Sequence, residues 1–280
     1  MTAPMLLAGG YRNEVWKVRA GQRWVVEKRY AEDPGDPNPM YPNLPDSEAA
    51  VLVHLASTGS APQFVSYTPP GAGHGAQLVY EYVPGTMWRR GVADVARVLH
   101  EVHHGPTPQG VRTLHGCAAE ARRHGDEMVA GVPASVAVPL VAVRPVAASE
   151  QPPRRRSLVH TDCGPGNLLR SRHGLVLIDW QCPGVGDATE DVTCFLSPAM
   201  MILYGRPPHT RDATDAFLQA YASRAIVARY LRDGACWHYR IAAYCLWRAH
   251  RLAESQPTLA ALYHRALAAE IQLLSKWGRR

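Results

Sequence analysis

Short strand-like segments dominate the first 83 residues, and longer helical patterns dominate the rest. Turns rich in Gly, Pro or polar residues separate five segments of β-forming residues, Leu6–Ala8, Glu14–Val18, Arg23–Arg29, Gln63–Tyr67 and Gln77–Val83. The prolines between Pro34 and Pro45 exclude a helix or a central strand there. One helix is predicted next, with Asp46 or Ser47 as its N-cap and an end near Thr58.

Beyond Val83 the apolar spacing changes to that of helices. The pattern predicts six of them, Val92–His104, Leu114–Ala130, Ser135–Ala148, Ala213–Tyr230, Ala235–Glu254 and Thr258–Trp277. Two short apolar runs, Ser157–Val159 and Leu175–Ile178, flank a polar loop. We therefore expect an α+β, two-lobed protein with a small antiparallel sheet and one helix in residues 1–83, and a larger, mostly helical lobe in residues 84–280.

Composition and charge narrow the classes of function. The chain has 280 residues, 46% of them hydrophobic and 19% charged, which is enough apolar material for a packed core. The net charge of +6 is spread along the chain, so it fits a nucleotide partner better than a nucleic acid. No apolar run is long enough to span a membrane, and Met1–Gly10 lacks the features of a signal peptide. We expect a cytoplasmic protein with no membrane partner, and the oligomeric state stays open.

The six cysteines are scattered and form no Cys-x-x-Cys pair. We expect reduced thiols and no zinc site. The histidines other than His160 show no metal-binding spacing and are expected mainly at the surface. Four aromatic residues on one predicted helix, Trp237, Tyr239, Tyr244 and Trp247, are expected in the core, although an aromatic face could also bind a cationic acceptor.

The polar loop between the two apolar runs carries the chemistry. It contains Asp162 and, five residues later, Asn167, and the second run ends at Asp179. Phosphoryl transfer from a nucleotide needs a carboxylate that orients the acceptor hydroxyl and hard oxygen ligands that hold Mg²⁺. One Asp in a loop, an Asn at its end and a second Asp on the adjacent strand can supply these groups.

These residues resemble a known family. The catalytic and metal-binding segments of the aminoglycoside phosphotransferase and choline kinase family, which shares the protein kinase fold, are similar to three parts of this chain. These parts are His160-Thr161-Asp162, Asn167 and Ile178-Asp179-Trp180. The other parts of that fold follow in the same order along nearly the whole chain. The resemblance implies an enzyme with a nucleotide-binding lobe over residues 1–83 and a catalytic, acceptor-binding lobe over residues 84–280.

The resemblance also implies a role for each matching residue. Asp162 would be the catalytic base or the group that orients the hydroxyl, and Asn167 and Asp179 would bind Mg²⁺, with ATP or GTP as co-substrate. Six positions would bind the nucleotide: Gly10 and Asn13 in the loop over the phosphates, Lys28 on the phosphates, Glu48 as its ion-pair partner, and the backbones of Glu81 and Val83 at the base. His160, Asp187 and Asp191 would support the catalytic loop.

Several residues depart from the family pattern. Thr161 stands where the family most often has Gly and where protein kinases have Arg, Cys163 replaces the usual Leu, and the glycine loop holds only Gly9 and Gly10. The missing Arg and the absence of an Ala-Pro-Glu segment disfavour a protein kinase. The expected function is a kinase that phosphorylates a hydroxyl of a small acceptor, such as an aminoglycoside, choline, ethanolamine or a related metabolite. The alternative is a nucleotide-binding pseudokinase that acts as a sensor or scaffold.

Overall fold

The computed structural model describes residues 3–9, 13–32, 37–114, 116–146 and 148–277, which fall into two compact units. The first unit comprises Met1–Trp88, Pro108–Arg112 and Asn167–Gly184. The second comprises Arg89–Thr107, Thr113–Gly166 and Val185–Arg280. The first unit thus joins residues 108–112 and 167–184 to the N-terminal segment. The assignment of nucleotide binding to residues 1–83 and of catalysis to residues 84–280 stays a prediction.

Ten strands and nine α-helices form within the described residues. The strands are β1 (Met5–Gly9), β2 (Asn13–Ala20), β3 (Arg23–Tyr30), β4 (Phe64–Thr68), β5 (Gln77–Glu81), β6 (Gly85–Met87), β7 (Ser157–Val159), β8 (Leu168–Ser171), β9 (Gly174–Leu177) and β10 (Gly184–Gly186). The helices are α1 (Pro45–His54), α2 (Val92–His104), α3 (Ala118–Ala130), α4 (Ala134–Val141), α5 (Thr189–Leu196), α6 (Pro198–Leu203), α7 (Arg211–Ala220), α8 (Arg224–Leu252) and α9 (Pro257–Trp277).

An antiparallel five-stranded sheet forms the centre of the first unit, in the order β1-β2-β3-β5-β4. It contains the five strands expected from the sequence. The β2–β3 hairpin turns at Gly21, which has φ +58°, a conformation that glycine adopts without steric cost. In the central strand β3, Val25, Val26 and Lys28 are buried. A second sheet of this unit, β6-β8-β9, was not expected as a sheet because its strands have only three or four residues.

Helix α1 packs against β4 and β5, and its ends differ from the prediction. It begins at Pro45 rather than after Asp46 or Ser47, because a proline fits the first helical turn, where its missing N–H is not needed. It ends at His54 instead of Thr58, whose hydroxyl donates to the Leu55 carbonyl. The buried side carries Ala49, Val51 and Leu52 together with Glu48. Val53 is 55% exposed.

Helices form most of the second unit, and the long helix α8 is their centre. It packs against α3, α5 and α9. Of the four aromatic residues expected in the core, Trp237, Tyr239 and Tyr244 are buried, whereas Trp247 is only half-buried. The expected helices Ala213–Tyr230 and Ala235–Glu254 were wrong. The break lies between α7 and α8, and α8 runs continuously through Gly234. A Cβ at Gly234 would lie 2.8 Å from the Trp277 ring, so this glycine serves packing rather than helix termination.

Three other expectations about the second unit need correction or comment. Helix α4 is shorter than the expected Ser135–Ala148, and α3 begins at Ala118 rather than at Leu114. The surface assignment of the histidines was wrong for His103 and His238, which are fully buried. Helices α5 and α6 were not predicted.

All six cysteines are buried free thiols. No described helix is long and apolar enough to cross a membrane.

Candidate active site

Three of the candidate residues meet within the first unit. Lys28, on β3, places its Nζ 2.7 Å from Oε2 of Glu48 on α1 and 2.5 Å from Oδ1 of Asp179, which follows β9. The hydroxyl of Tyr30 donates to the same Glu48 oxygen. Lys28 and Glu48 are 2% and 1% exposed, whereas Asp179 is 38% exposed. One buried cation therefore holds a buried carboxylate on one side and a partly open carboxylate on the other.

The charges of this cluster, which we call the Lys28 cluster (Lys28, Glu48, Asp179 and Tyr30), are set by burial and by one another. Burial alone would lower the pKa of Lys28, but the Asp179 and Glu48 carboxylates outweigh it and raise that pKa well above its usual value. Burial raises the pKa of Glu48, and Lys28 opposes this effect. With both carboxylates ionised, the cluster carries one net negative charge, which suits a divalent cation beside Asp179.

A tight hairpin brings Asn167 close to the segment that carries Asp179. Strands β8 and β9 pair Leu168 with Leu177, and one position further the N–H of Ile178 donates to the Asn167 carbonyl at 3.0 Å. Asn167 and Asp179, twelve residues apart in sequence, therefore lie at the same end of one hairpin. Asp179 has φ +62°, which is uncommon for a residue other than glycine. Trp180, fully buried, donates from its indole to the Leu177 carbonyl and fixes the backbone after it.

The donor set fits Mg²⁺ rather than a softer metal. Asp179 and Asn167 offer carboxylate and amide oxygens, the ligand type that Mg²⁺ prefers, and this ion usually keeps several waters and takes one or two ligands from protein. Within the described residues, the Asp179 side chain accepts a hydrogen bond from Lys28 through Oδ1, and no hydrogen bond to Oδ2 is present. No group of three or more His, Cys, Asp or Glu side chains in these ranges is arranged to hold a metal ion. The candidate magnesium site thus consists of one carboxylate and one amide.

Among the nucleotide-binding candidates, Asn13 lies in an amide network. It exchanges hydrogen bonds with Asn43 at 3.0 and 2.8 Å and donates to Gln181, two residues after Asp179, at 3.2 Å. Its expected role over the phosphates stays a prediction, and Gly10 lies outside the described residues. The network ties the start of β2 to the chain segment that follows Asp179.

The expected base-binding backbone lies at the end of β5. The N–H of Glu81 donates to the Gln63 carbonyl at 2.8 Å, and the Glu81 side chain pairs with Arg23 at the surface. In the described part of the chain, the N–H of Val83 makes no backbone hydrogen bond. The binding of the base by backbone groups of Glu81 and Val83 stays a prediction.

The remaining candidates meet within the second unit, around Asp191. The N–H groups of His160 and Thr161 donate to the two Asp191 oxygens at 2.8 Å each, and His103 of α2 lies 2.9 Å from Oδ2. Burial alone would raise the pKa of Asp191, but these hydrogen bonds outweigh it and lower the pKa below the usual value. Asp191 is fully buried. It therefore anchors the loop in which Asp162 lies.

The loop that precedes Asp162 is strained at one residue. Thr161 has φ +69°, a conformation that costs a β-branched residue on the order of 1–3 kcal/mol. Both N–H bonds to Asp191 fix this geometry, and Nδ1 of His160 accepts a long bond, 3.3 Å, from the N–H of Asp162. His160 is fully buried. The backbone at this position requires the left-handed region that glycine adopts freely.

Asp187 and Glu190, the two other acidic residues near α5, are already paired. Asp187 lies 2.5 Å from Nε of the buried Arg229 and caps the N–H of Thr189, and Glu190 pairs with Arg240 of α8. Each of these two carboxylates thus already has an arginine as its counterion. Asp187 stabilises the start of α5, the helix that supplies Asp191.

Comparison with known proteins decides the family. The chain matches the model of a phosphotransferase enzyme family over residues 5–233. The chain belongs to this family. This phosphotransferase is therefore an enzyme of the class that the sequence motifs indicated, and the resemblance is confirmed. A search of curated protein sequences gave no significant match.

Solved structures share the fold of this phosphotransferase. A putative aminoglycoside phosphotransferase from Ralstonia eutropha has a TM-score of 0.71 at 13% identity, covering 99% of this chain and 92% of that one. A choline/ethanolamine kinase family protein from Mesorhizobium loti has 0.63 at 18%, covering 98% and 88%. A spectinomycin phosphotransferase in complex with ADP and spectinomycin has 0.58 at 12%, covering 98% and 93%. They confirm the expected α+β, protein-kinase-like fold.

Three residues of this phosphotransferase escaped the sequence analysis. Tyr30 bonds to Glu48, His103 bonds to Asp191, and the hydroxyl of Tyr204 donates to Asp162. Tyr30 is two residues from Lys28 on the same face of β3, so strand alternation could have indicated it. His103 and Tyr204 lie 88 and 42 residues from their partners, and no local signal points to them.

Proposed function

We propose that this enzyme transfers the γ-phosphoryl group of ATP or GTP to a hydroxyl of a small acceptor, with Asp162 as the group that orients the hydroxyl and accepts its proton. The observation that carries the proposal is the Lys28 cluster, in which one fully buried lysine joins a helix glutamate to the Asp179 that would bind magnesium. A structural ion pair between Lys28 and Glu48 would not need a second, partly exposed carboxylate.

The donor side follows from charge. In this proposal Lys28 binds phosphate oxygens, Glu48 and Tyr30 hold its ammonium group in place, and Asp179 and Asn167 hold Mg²⁺. The magnesium ion, when bound, neutralises charge on the phosphates. The spectinomycin phosphotransferase, which shares the fold, is in complex with ADP, and this supports a nucleotide as the donor.

The acceptor side follows from the loop around Asp162. The acceptor oxygen forms a bond to the γ-phosphorus while the bond between that phosphorus and the β–γ bridging oxygen breaks. The hydroxyl proton passes to the Asp162 carboxylate, and a nucleoside diphosphate leaves. Asp191 supports this step by holding the two N–H groups that precede Asp162. The protein contributes position and a fixed electrostatic environment rather than a covalent intermediate.

The structure narrows the choice of acceptor by showing which aromatic and acidic side chains already have other contacts. The buried aromatic residues Trp237, Tyr239 and Tyr244 belong to the core, and Asp187 and Glu190 are paired with arginines. An amine-bearing acceptor would therefore need other residues for its cation. The fold is shared with aminoglycoside and choline or ethanolamine kinases alike, so we propose small alcohols of both groups as candidates.

The test is nucleotide consumption with Mg²⁺ against a panel of aminoglycosides, amino alcohols and neutral sugar alcohols. We expect turnover with at least one acceptor, and a loss of at least 100-fold in kcat for Asp162→Asn with nucleotide affinity retained. Asp212→Asn, on the exposed first turn of α7, is the matched control and should keep full activity. Full turnover of Asp162→Asn would show that the proposed role is wrong.

The pseudokinase alternative makes a different forecast for the same panel. It requires tight binding of the nucleotide with no turnover over any acceptor. The intact set of Asp162, Asn167 and Asp179 weighs against it. A cytoplasmic location and the use of magnesium remain part of the proposal. Replacement of Mg²⁺ by EDTA should abolish turnover and leave the fold intact.

A further inference from the structure

The side chain of Tyr204 lies across the loop that follows Asp162. A Cβ added at Gly164 would be 2.3 Å from Cε2 of the Tyr204 ring, and one added at Gly166 would be 2.1 Å from Cε1. The two opposite edges of the ring thus rest on the two glycines. Neither glycine has a positive φ, so both positions require glycine because of this ring and not because of the backbone.

The position of Tyr204 is fixed by the end of α6. Its N–H donates to the Met200 carbonyl, and Gly205 follows with φ +68°, so the helix ends in a left-handed cap. At the other end of α6, the Ser197 hydroxyl accepts from the Met200 N–H and donates to the buried Glu270 of α9. The tyrosine therefore stands on a short helix that is anchored at both ends.

The hydroxyl of Tyr204 reaches the candidate catalytic carboxylate. It lies 3.3 Å from Oδ1 and 3.4 Å from Oδ2 of Asp162, close to both oxygens at distances longer than an ordinary O–H···O bond. An acceptor hydroxyl that Asp162 orients must donate to the same carboxylate. Tyr204 thus presents to Asp162 the chemical group that the acceptor would present.

We propose that Tyr204 is a positioning residue that fills the acceptor-hydroxyl site on Asp162 and keeps water from it until an acceptor displaces the phenol. This inference rests on the proposed function of Asp162. The long, divided hydrogen bond makes displacement easy for a well-placed acceptor hydroxyl, while the ring on Gly164 and Gly166 covers the loop. The residue would thereby favour transfer to the acceptor over hydrolysis of the nucleotide.

The competing reaction has a defined chemistry. Without the phenol, a water molecule can donate a hydrogen bond to Asp162. The water oxygen then forms a bond to the γ-phosphorus while the bond between that phosphorus and the β–γ bridging oxygen breaks. The water proton passes to Asp162, and the products are a nucleoside diphosphate and inorganic phosphate. Exclusion of water from an active site is a recognised way in which enzymes prevent hydrolytic side reactions.

The experiment measures phosphate release from Mg²⁺-ATP or Mg²⁺-GTP without acceptor, per nucleotide-binding site, in wild type and Tyr204→Phe. Because phenylalanine keeps the ring on the glycines and removes only the hydroxyl, we expect hydrolysis to rise about 3- to 10-fold, the scale of the net contribution of one typical hydrogen bond. Adding Asp162→Asn to Tyr204→Phe should bring hydrolysis down to the wild-type rate or lower. Tyr67→Phe, which removes a hydroxyl 2.6 Å from Asp46 at the surface, is the control and should leave the rate unchanged.

The outcomes separate this inference from the function on which it rests. Wild-type hydrolysis that depends on Asp162 but stays the same in Tyr204→Phe would overturn the role of Tyr204 alone. If the hydroxyl of Tyr204 were only structural, Tyr204→Phe would lower thermal stability and leave the hydrolysis rate per binding site unchanged. That outcome would also overturn the role of Tyr204. Absence of any nucleotide turnover, with and without acceptors, would overturn the proposed function and this inference together.

Discussion

Replacement of Lys28 by methionine tests the Lys28 cluster most directly. Methionine keeps most of the length and the apolar character of the lysine stem but removes its charge. Glu48 would then be a carboxylate with 1% exposure whose remaining described hydrogen bond comes from Tyr30. The change therefore leaves a buried charge without a counterion.

The magnitude follows from the distance and the burial. At 2.7 Å and an effective dielectric constant of about 20, the attraction between Lys28 and Glu48 is on the order of 6 kcal/mol. The cost of desolvating both ions offsets part of this, and removal of one partner of such a pair typically costs about 3–5 kcal/mol. The contact with Asp179 adds less than about 1 kcal/mol, because that carboxylate is 38% exposed and water screens it.

Urea unfolding followed by tryptophan fluorescence measures this cost. We expect Lys28→Met to lower the unfolding free energy by about 3–5 kcal/mol. Lys17→Met, on the neighbouring strand β2 with its ammonium over Tyr82 and Trp24, is the matched control and should cost less than about 1 kcal/mol. In the double variant Lys28→Met/Glu48→Gln, no buried charge is left alone, so its loss should fall short of the sum of the single losses by about 1.5–3 kcal/mol.

The pH dependence gives a second check with a defined sign. Burial already raises the pKa of Glu48, and removal of Lys28 takes away the charge that opposes this. A carboxyl whose pKa is raised in the folded state destabilises the protein at any pH where the carboxyl must ionise. The loss of unfolding free energy in Lys28→Met should therefore shrink as the pH falls from 7 towards about 4.3, the pKa of a glutamate in the unfolded state. A cost below about 1 kcal/mol at pH 7, or additive single losses, would refute the reasoning.

Three further predictions concern other parts of the chain. Thr161→Gly should raise the unfolding free energy by up to about 1 kcal/mol, because relief of the strain at φ +69° exceeds the added backbone entropy; a loss of stability would contradict this. The pKa of Asp191 is lowered in the folded protein, so its contribution to stability is complete above pH about 4 and is lost as the pH falls through the folded-state pKa. The difference in unfolding free energy between wild type and Asp191→Asn should therefore shrink below pH about 4. A constant difference would exclude the assigned ionisation. Gly85→Ala would place a Cβ 2.5 Å from the Arg170 carbonyl oxygen, so its thermal unfolding midpoint should fall by several degrees, and an unchanged midpoint would show that β6 and β8 can separate at no cost.

The sequence was informative where a local pattern determines the structure. The five strands of the first sheet follow from β-forming residues and from turns such as Gly21, and the segment from His160 to Asp179 follows from its motif. Helix boundaries were less predictable, because a proline can start a helix, as Pro45 does, and a glycine inside a helix can serve packing, as Gly234 does.

What the sequence could not show are contacts between distant residues. The burial of His103 depends on Asp191 and Tyr221, and the burial of His238 depends on Glu270. Asp191 and Glu270 lie on other helices and Tyr221 directly follows α7, and nothing near either histidine in the sequence indicates these partners. Tyr204 is the clearest case, because the two glycines beneath it read only as turn residues until the ring is placed on them.

The fit between Tyr204 and the two glycines restricts the order in which these positions can diverge. A side chain at 164 or 166 would overlap the aromatic ring, so a substitution at either glycine is tolerated only after position 204 has become smaller. If the ring at position 204 is lost first, the space that it occupied can later take a side chain at position 164 or 166. Among descendants of this chain, bulk at positions 164 or 166 should therefore occur only together with a small residue at 204.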